Sequence, residues 1–245
     1  MAVQYDASAI DMIRMLGCSK PAAGELWEVQ MPALLDEFLR LAADQPLFET
    51  SDLWTGEPYF FYEDIEERIA DDEEYWEENP EEYEEDEYYQ FSKIPREQWG
   101  EHMPNYLQIA SDYGVGCLTY GICEKDLEKE DPPVYCWNEA NSIKDWRVLT
   151  DTLSVFLGGI VCDVLSGMNY PTAQKVLEKE NWTFDNSMCV DMLAQRQIEL
   201  SRMKKYPSLY GVEGTFYRVC MDADAGALYL VSNDRKLLVI CKKTE

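Results

Sequence analysis

Few side chains in this sequence could act as catalytic acids, bases or nucleophiles in a recognised pattern. There is one histidine, His102, so any histidine-dependent triad or relay would have to use it. It lies between Trp99 and Pro104 in an acidic stretch, which favours an exposed loop position. Neither a G-x-S-x-G nucleophile elbow nor a P-loop occurs. The 48 acidic residues form too many carboxylate pairs to exclude a hydrolase, so an enzyme stays an open alternative.

Motifs for metals and nucleotides are incomplete. The eight cysteines include no C-x-x-C pair and no second histidine could complete a mixed site, so we expect no structural zinc. The run from Asp222 to Gly226 begins like a calcium loop, but glycine fills the third ligand position, which favours a hairpin turn. The run from Gly114 to Gly116 lacks the third glycine of a dinucleotide fingerprint and predicts a turn between strands. We therefore predict no catalytic residues, no metal site and no cofactor.

The composition is typical of a folded protein in a reducing compartment. Apolar residues make up 46% of the 245 residues, which is enough for a sizeable core. Several of the cysteines lie in apolar runs, and the first residues lack the pattern of a signal peptide. We therefore interpret the cysteines as buried hydrophobes in a cytoplasmic protein. The longest apolar run, Leu153 to Cys162, is far shorter than the ~20 residues of a membrane span, and we expect no contact with membranes.

The net charge of −27 excludes one class of ligand and is concentrated in one segment. No stretch collects enough Lys and Arg to displace counterions from phosphates, so we expect no binding to nucleic acid. Residues 63–87 contain 16 acidic residues and one base, Arg68, for a local charge of −15, while all other residues together carry −12. More than half of the charge imbalance therefore lies in one short segment.

Apolar side chains interrupt this acidic segment at helical spacing. They are Ile65, Ile69, Trp76 and Tyr83. Their intervals of four, seven and seven residues would place them along one side of a helix. Because Pro80 interrupts the pattern, we predict two helical pieces, over residues 62–78 and 81–90, docked by these side chains with the carboxylates outside.

The chain around this segment predicts an α+β fold. Periodicity that ends at Gly17 favours a first helix, and stronger periodicity favours another from Pro32 to Ala43. Four strand-like pieces then predict a meander. They span residues 106–110, 117–122, 133–137 and 146–149. An almost wholly apolar helix follows from Leu153 to Leu165, and we expect it to be buried against the sheet.

The last third of the chain has its own pattern. A helix is predicted to open at Pro171 and another to run from Cys189 to Lys204. Three short strands follow, over residues 215–221, 227–232 and 236–241. The predicted fold is an antiparallel sheet flanked by helices, with an acidic helical insertion at 57–92 and a C-terminal helix plus β-meander extension. We expect an α+β domain over residues 1–170 and an extension over 171–245 packed on the same body.

Four local strings follow one another in order along the chain. They are Met31-Pro32 with Leu35, Phe38 and Leu39; Tyr106 to Ile122; Pro133 to Tyr135; and Asp151 to Leu157. Their order and spacing resemble the SUKH superfamily, which includes bacterial toxin-immunity proteins and a fungal cell-wall assembly regulator. The chain departs from that pattern at Cys117, where a polar residue is common, and near Ala43, where a glycine is usual. The resemblance implies an α+β fold that binds a protein partner, commonly a cognate toxin, without catalysis.

The charge and the resemblance together predict an immunity-type protein that neutralises a basic bacterial toxin, such as a nuclease, by occluding its surface. Dense carboxylates would complement a cleft made for phosphates, and interleaved aromatics would anchor the contact. The predicted contact residues are Asp72, Glu73, Tyr75, Trp76, Glu77, Glu78, Glu81, Glu82 and Tyr83. Two other interpretations stay open besides an enzyme: a merely solubilising charged face, and a regulatory or scaffold module unrelated to toxins.

Overall fold

The structure, a computed structural model of the chain, describes most of the sequence. The described residues are 3–18, 21–24, 27–43, 45–49, 57–78, 80–112, 117–166, 170–187, 190–209 and 215–242. The fold is α+β with antiparallel sheets flanked by helices, which confirms the predicted class. The predicted glycine turn at residues 114–116 lies outside the described residues.

Eight α-helices lie in the described ranges. They are α1 (Ala9–Met15), α2 (Ala33–Ala42), α3 (Pro46–Glu49), α4 (Phe61–Glu78), α5 (Glu87–Ser92), α6 (Leu153–Ser166), α7 (Tyr170–Lys179) and α8 (Asp191–Gln195). Helix α1 begins in a capping box, because Ser8 Oγ accepts a hydrogen bond from the Asp11 amide and Asp11 Oδ2 accepts one from the Ser8 amide. In α2 the predicted apolar stripe of Leu35, Phe38 and Leu39 is buried.

Eleven β-strands complete the described secondary structure. They are β1 (Val3–Gln4), β2 (Tyr59–Phe60), β3 (Tyr106–Asp112), β4 (Leu118–Cys123), β5 (Val134–Asn138), β6 (Arg147–Thr150), β7 (Trp182–Asp185), β8 (Lys204–Pro207), β9 (Phe216–Asp222), β10 (Ala227–Val231) and β11 (Leu237–Lys242). All seven predicted strands are present, as β3 to β6 and β9 to β11. The sequence pattern did not indicate β1, β2, β7 or β8.

The predicted long helix from Cys189 to Lys204 is wrong. The chain forms the five-residue helix α8 and then a 3-10 turn before it enters strand β8, and residue 189 itself lies outside the described residues. Leu193, Ile198 and Met203 are all buried, but a spacing of five does not follow one face of an α-helix. Gln197 has a φ of 57°, in the left-handed region that ends helices.

The chain divides into two compact units. The central unit comprises Trp27–Pro32 and Asp52–Asp151, and the terminal unit comprises Met1–Leu26, Ala33–Ser51 and Thr152–Glu245. Helix α6 therefore belongs to the same unit as the C-terminal strands, and the units do not divide at residue 170.

The central unit is built on a five-stranded antiparallel sheet in the order β2-β3-β4-β5-β6. Its last four strands form the predicted meander. Helices α4 and α5 pack on one face of this sheet through a cluster of aromatic side chains. Trp146 stacks on Tyr106 with ring centroids 4.1 Å apart, and Phe61 of α4 lies 5.0 Å from Trp137 of β5. The start of α4 is thus fixed to the sheet by ring packing.

The terminal unit has a six-stranded antiparallel sheet in the order β1-β9-β10-β11-β7, in which β8 also pairs with β9. Helix α6 is buried, as predicted, but the strands on which it packs are β8 and β9 of this sheet and not the meander of β3 to β6. A Cβ atom on Gly158 would lie 1.9 Å from the Tyr206 ring, and one on Gly159 would lie 2.7 Å from the Pro207 carbonyl oxygen. The two glycines in this apolar helix therefore allow strand β8 to lie directly on it.

Candidate functional site: an acidic helix surface

The outer side of α4 and the turn that follows it carry a dense array of negative charge. Eleven exposed carboxylates and the exposed Tyr75 make up what we call the acidic surface. The carboxylates are Glu63, Glu67, Asp71, Glu73, Glu74, Glu77, Glu78, Glu81, Glu82, Glu84 and Glu85. Helix α4 positions most of them, because its buried residues Phe61, Tyr62, Ile65 and Trp76 hold one side inward and turn the other side to water.

Four of these carboxylates lie in a row along the outer side of the helix. Glu63, Glu67, Glu74 and Glu78 occupy positions i, i+4, i+11 and i+15, which share one helix face. At a rise of 1.5 Å per residue, this carboxylate stripe extends along roughly 22 Å of α4. The exposed side of α4 therefore presents an elongated row of negative charge.

Two arginines contact the flanks of α4. Arg68 Nε lies 2.7 Å from Asp72 Oδ2, and Arg96 Nε lies 2.8 Å from Glu66 Oε1. The Arg96 guanidinium also lies over the Tyr62 ring, 4.5 Å from its centroid. Exposed ion pairs of this kind contribute at most about 1 kcal/mol each. Among the described residues, no salt bridge involves the carboxylate stripe.

The arrangement of charge destabilises the helix that carries it. Acidic residues three or four positions apart repel each other by about 0.2–0.5 kcal/mol per pair, and α4 contains eight such pairs. They are Glu63–Glu66, Glu63–Glu67, Asp64–Glu67, Glu67–Asp71, Asp71–Glu74, Glu73–Glu77, Glu74–Glu77 and Glu74–Glu78. The last turn contains no base, so Glu77 and Glu78 also lie unfavourably at the negative end of the helix dipole. Helix stability alone would not select this arrangement.

The structure places the nine predicted contact residues along the second half of α4 and the turn after it, but it exposes only some of them. The exposed ones are Glu73, Tyr75, Glu77, Glu78, Glu81 and Glu82. Asp72, held by Arg68, and Tyr83 are half-buried. Trp76 is buried.

Trp76 and Tyr75 are neighbours in sequence, but one side chain is buried and the other is exposed. Trp76 is 4% exposed and packs edge-on against Tyr89 of α5, with ring centroids 5.6 Å apart. Tyr75 is 63% exposed and projects from the acidic surface. The spacing of seven residues from Ile69 to Trp76 already marked Trp76 as a packing residue. Tyr75 is therefore the aromatic side chain that a partner could reach.

One carboxyl at the base of the acidic surface has a perturbed proton affinity. Burial raises the pKa of Asp64, and the nearby carboxylates Glu67 and Glu139 raise it further, whereas Arg68 lowers it. Burial also raises the pKa of the neighbouring Tyr88 to about 12, so its phenol stays neutral at physiological pH. Asp64 is therefore an acid of α4 that is destabilised in its ionised form both by burial and by neighbouring carboxylates.

The structure also shows the surroundings of the histidine and of several cysteines. His102 is exposed, as predicted, with its ring 6.4 Å from that of Phe91. Burial raises the pKa of Cys18 to about 11 and that of Cys220 to about 12, which keeps these thiols protonated and unreactive. Cys117 differs from the prediction because it is exposed. Within the described ranges, no group of three or more His, Cys, Asp or Glu side chains could hold a metal ion.

The terminal unit contains a cavity of about 670 Å³ that the sequence did not indicate. Its lining combines leucines of β10 and β11 with hydroxyl and amide side chains, and its two charged groups, Asp234 and Lys236, pair with each other at 2.6 Å. Tyr217 in its wall donates a hydrogen bond to Asp163, which also accepts one from Ser208. This buried network joins α6 to β9 and is a packing feature.

Comparison with known proteins identifies no relative. No family model matches the sequence, and neither the curated proteins nor the solved structures include a match. The resemblance to the SUKH superfamily therefore stays a prediction. Among the helices of the described ranges, none has both the length and the apolar character needed to cross a bilayer.

Proposed function

We propose that this chain is an immunity-type binding protein whose acidic surface docks on a basic toxin and occludes it. The carboxylate stripe is the observation that carries this proposal. The stripe is exposed, lies on one helix face and forms no salt bridge among the described residues, and the repulsion between its carboxylates destabilises α4. A surface that reduces the stability of its own helix is explained if a partner neutralises it.

The acidic surface has the two properties that fast and tight protein recognition combines. Its charge would steer a basic partner during diffusional encounter and disfavour acidic competitors. Tyr75, exposed between Glu74 and Glu77, offers a large side chain that can be buried in a pocket of the partner. Steering and anchoring groups therefore lie on the same helix.

A nuclease or another enzyme acting on nucleic acid fits this surface well, because its cleft collects positive charge to bind phosphates. A row of carboxylates can occupy such a cleft in place of a phosphate backbone. The resemblance to the SUKH superfamily supports the same role. We propose that the encounter takes place in the cytoplasm, and the seven cysteines of the described residues, all present as free thiols, support a reducing compartment.

The proposal is tested with two variants of equal charge change. The stripe variant carries Glu67→Gln, Glu74→Gln and Glu78→Gln. The control variant carries Glu97→Gln, Glu128→Gln and Glu130→Gln, which are exposed acids of the same unit outside the acidic surface. Each is expressed in cells together with the product of the adjacent gene, the expected toxin.

The native chain and the control variant should protect the cells, and the stripe variant should protect them much less. Equal killing with and without the native chain would show that the immunity role is wrong. Equal protection by all three chains would show that the acidic surface is not the contact.

A further inference from the structure

The far half of α4, Asp71–Glu78, is held to the rest of the central unit by few contacts. Three of the four buried side chains of α4 belong to its first five residues. The fourth, Trp76, is the one buried side chain of the far half, and it packs on Tyr89 of α5. Between Ile65 and Trp76 the helix completes three turns without a fully buried side chain.

The same half contains four of the eight like-charged pairs of α4, more than the three in the first half. Six of its eight residues are acidic, and Glu74 alone lies three or four positions from Asp71, Glu77 and Glu78. The recorded ion pair that reaches this half joins Arg68 to Asp72 at its inner edge. Weak anchoring and strong repulsion therefore coincide in one segment of the helix.

We propose that the far half of α4 is an electrostatically gated segment, which opens in dilute salt and closes when its charge is neutralised. Backbone hydrogen bonds and the packing of Trp76 stabilise the closed state, in which the segment is helical. Repulsion within the like-charged pairs stabilises the open state, in which the segment is unfolded. Salt shortens the range of the repulsion from about 30 Å at 0.01 M to about 3 Å at 1 M. Salt should therefore shift the segment toward its closed helical state.

If the proposed function is right, partner binding should also close the segment. A basic surface that covers the stripe would perform the same neutralisation as salt and would order the segment as it binds. Part of the binding free energy would then be spent on closing the segment. The gate itself is a property of the chain alone and is tested without any partner.

The test is hydrogen–deuterium exchange of the whole chain, followed by mass spectrometry, in about 0.01 M and about 1 M NaCl. Amides of residues 71–78 should exchange about five- to thirtyfold more slowly in the high salt, relative to an unstructured reference peptide. Amides of α6, which is buried along nearly its whole length, should show no such change.

The stripe variant and the control variant sharpen this test. Replacement of Glu by Gln leaves helix propensity almost unchanged, so the stripe variant should show slow exchange in residues 71–78 already in low salt. The control variant should behave like the native chain. The proposal is overturned if residues 71–78 exchange as slowly as the start of α4 in low salt, or if both variants slow them equally.

Discussion

The two compact units differ in their net charge and in where their most prominent acidic groups lie. The central unit contains 30 acidic and 7 basic residues, a net charge of −23, while the terminal unit contains 18 and 14, a net charge of −4. In the terminal unit, the fully buried Asp163 accepts hydrogen bonds from Ser208 Oγ at 2.8 Å, from Tyr217 Oη at 2.9 Å and from the Leu209 amide at 2.5 Å. In the central unit, the carboxylate stripe faces water.

The carboxylate of Asp163 and the carboxylates of the stripe have different effects on stability. A buried carboxylate with three donors is part of the packing of α6 on its neighbours, and its removal would leave those donors unsatisfied. The stripe contributes repulsion to α4, so its removal should not destabilise the fold. The charge of this protein is thus concentrated on one surface, and partner binding by that surface is our proposal.

The largest expected effect lies in the terminal unit, at the contact between α6 and β8. In Gly158→Ala the new methyl group would overlap the ring of Tyr206, which is fully buried and hydrogen-bonded through its hydroxyl to the Ala7 carbonyl. The ring has little room to move, so we expect the free energy of unfolding to fall by about 3 kcal/mol in urea denaturation.

Gly100→Ala is the matched control for this substitution. Nothing lies within 4 Å of a Cβ at Gly100, so its stability should stay within about 0.5 kcal/mol of the native chain. If Gly158→Ala were equally neutral, the close approach of β8 to the helix would be contradicted.

A smaller effect is expected in the central unit, where two adjacent aromatics have opposite roles. Trp76→Ala removes the ring that packs on Tyr89 and should destabilise the far half of α4 by about 2 kcal/mol, less than in a closed core because a helix end can open locally. Tyr75→Ala removes an exposed ring and should change stability by less than about 0.5 kcal/mol while weakening partner binding.

Hydrogen exchange of residues 71–78 measures the first effect, and calorimetric titration with the partner measures the second. The assignment of roles is reversed if Tyr75→Ala speeds exchange in the segment and Trp76→Ala leaves it unchanged.

The smallest expected effect concerns Asp64. Because its pKa is raised in the folded state, first by burial and then by Glu67 and Glu139, the folded chain holds this proton more tightly than the unfolded chain. Stability from this group is therefore lost as pH rises through the folded pKa. Asp64→Asn removes the penalty of the ionised form and should stabilise the protein by less than about 1 kcal/mol at neutral pH, since the group is partly solvated.

Urea denaturation of the native chain and Asp64→Asn from about pH 3, below the ordinary carboxyl pKa, up to neutral pH measures this difference, which should grow as the pH rises through the folded pKa. A stability difference that stays constant over this range would contradict the raised pKa.

The two regions also differ in how far the sequence predicted them. The apolar pattern of the sequence predicted α2, α4, α6 and the seven strands β3 to β6 and β9 to β11. Strands β1 and β8 could not be predicted in this way. Val3 pairs with Asp222, and Lys204 pairs with Val219. Both strands are therefore defined by their pairing with β9 and not by an apolar pattern of their own.

For the site, the sequence predicted the location of the charge and missed the orientation of single side chains. The density of acidic residues alone predicted an exposed charged surface, because so many carboxylates must contact either water or a partner. Trp76 was predicted as a contact residue because aromatics often anchor interfaces, yet its spacing from Ile69 places it on the buried side. The Asp163 network was invisible, because its donors lie 45 and 54 residues away.

The most direct test of the acidic surface is the affinity of the adjacent gene product for the native chain, the stripe variant and the control variant, measured by titration calorimetry. The stripe variant should bind at least about tenfold more weakly than the other two, and high salt should weaken the native complex. Equal affinities of the stripe and control variants, or no binding by the native chain, would contradict it.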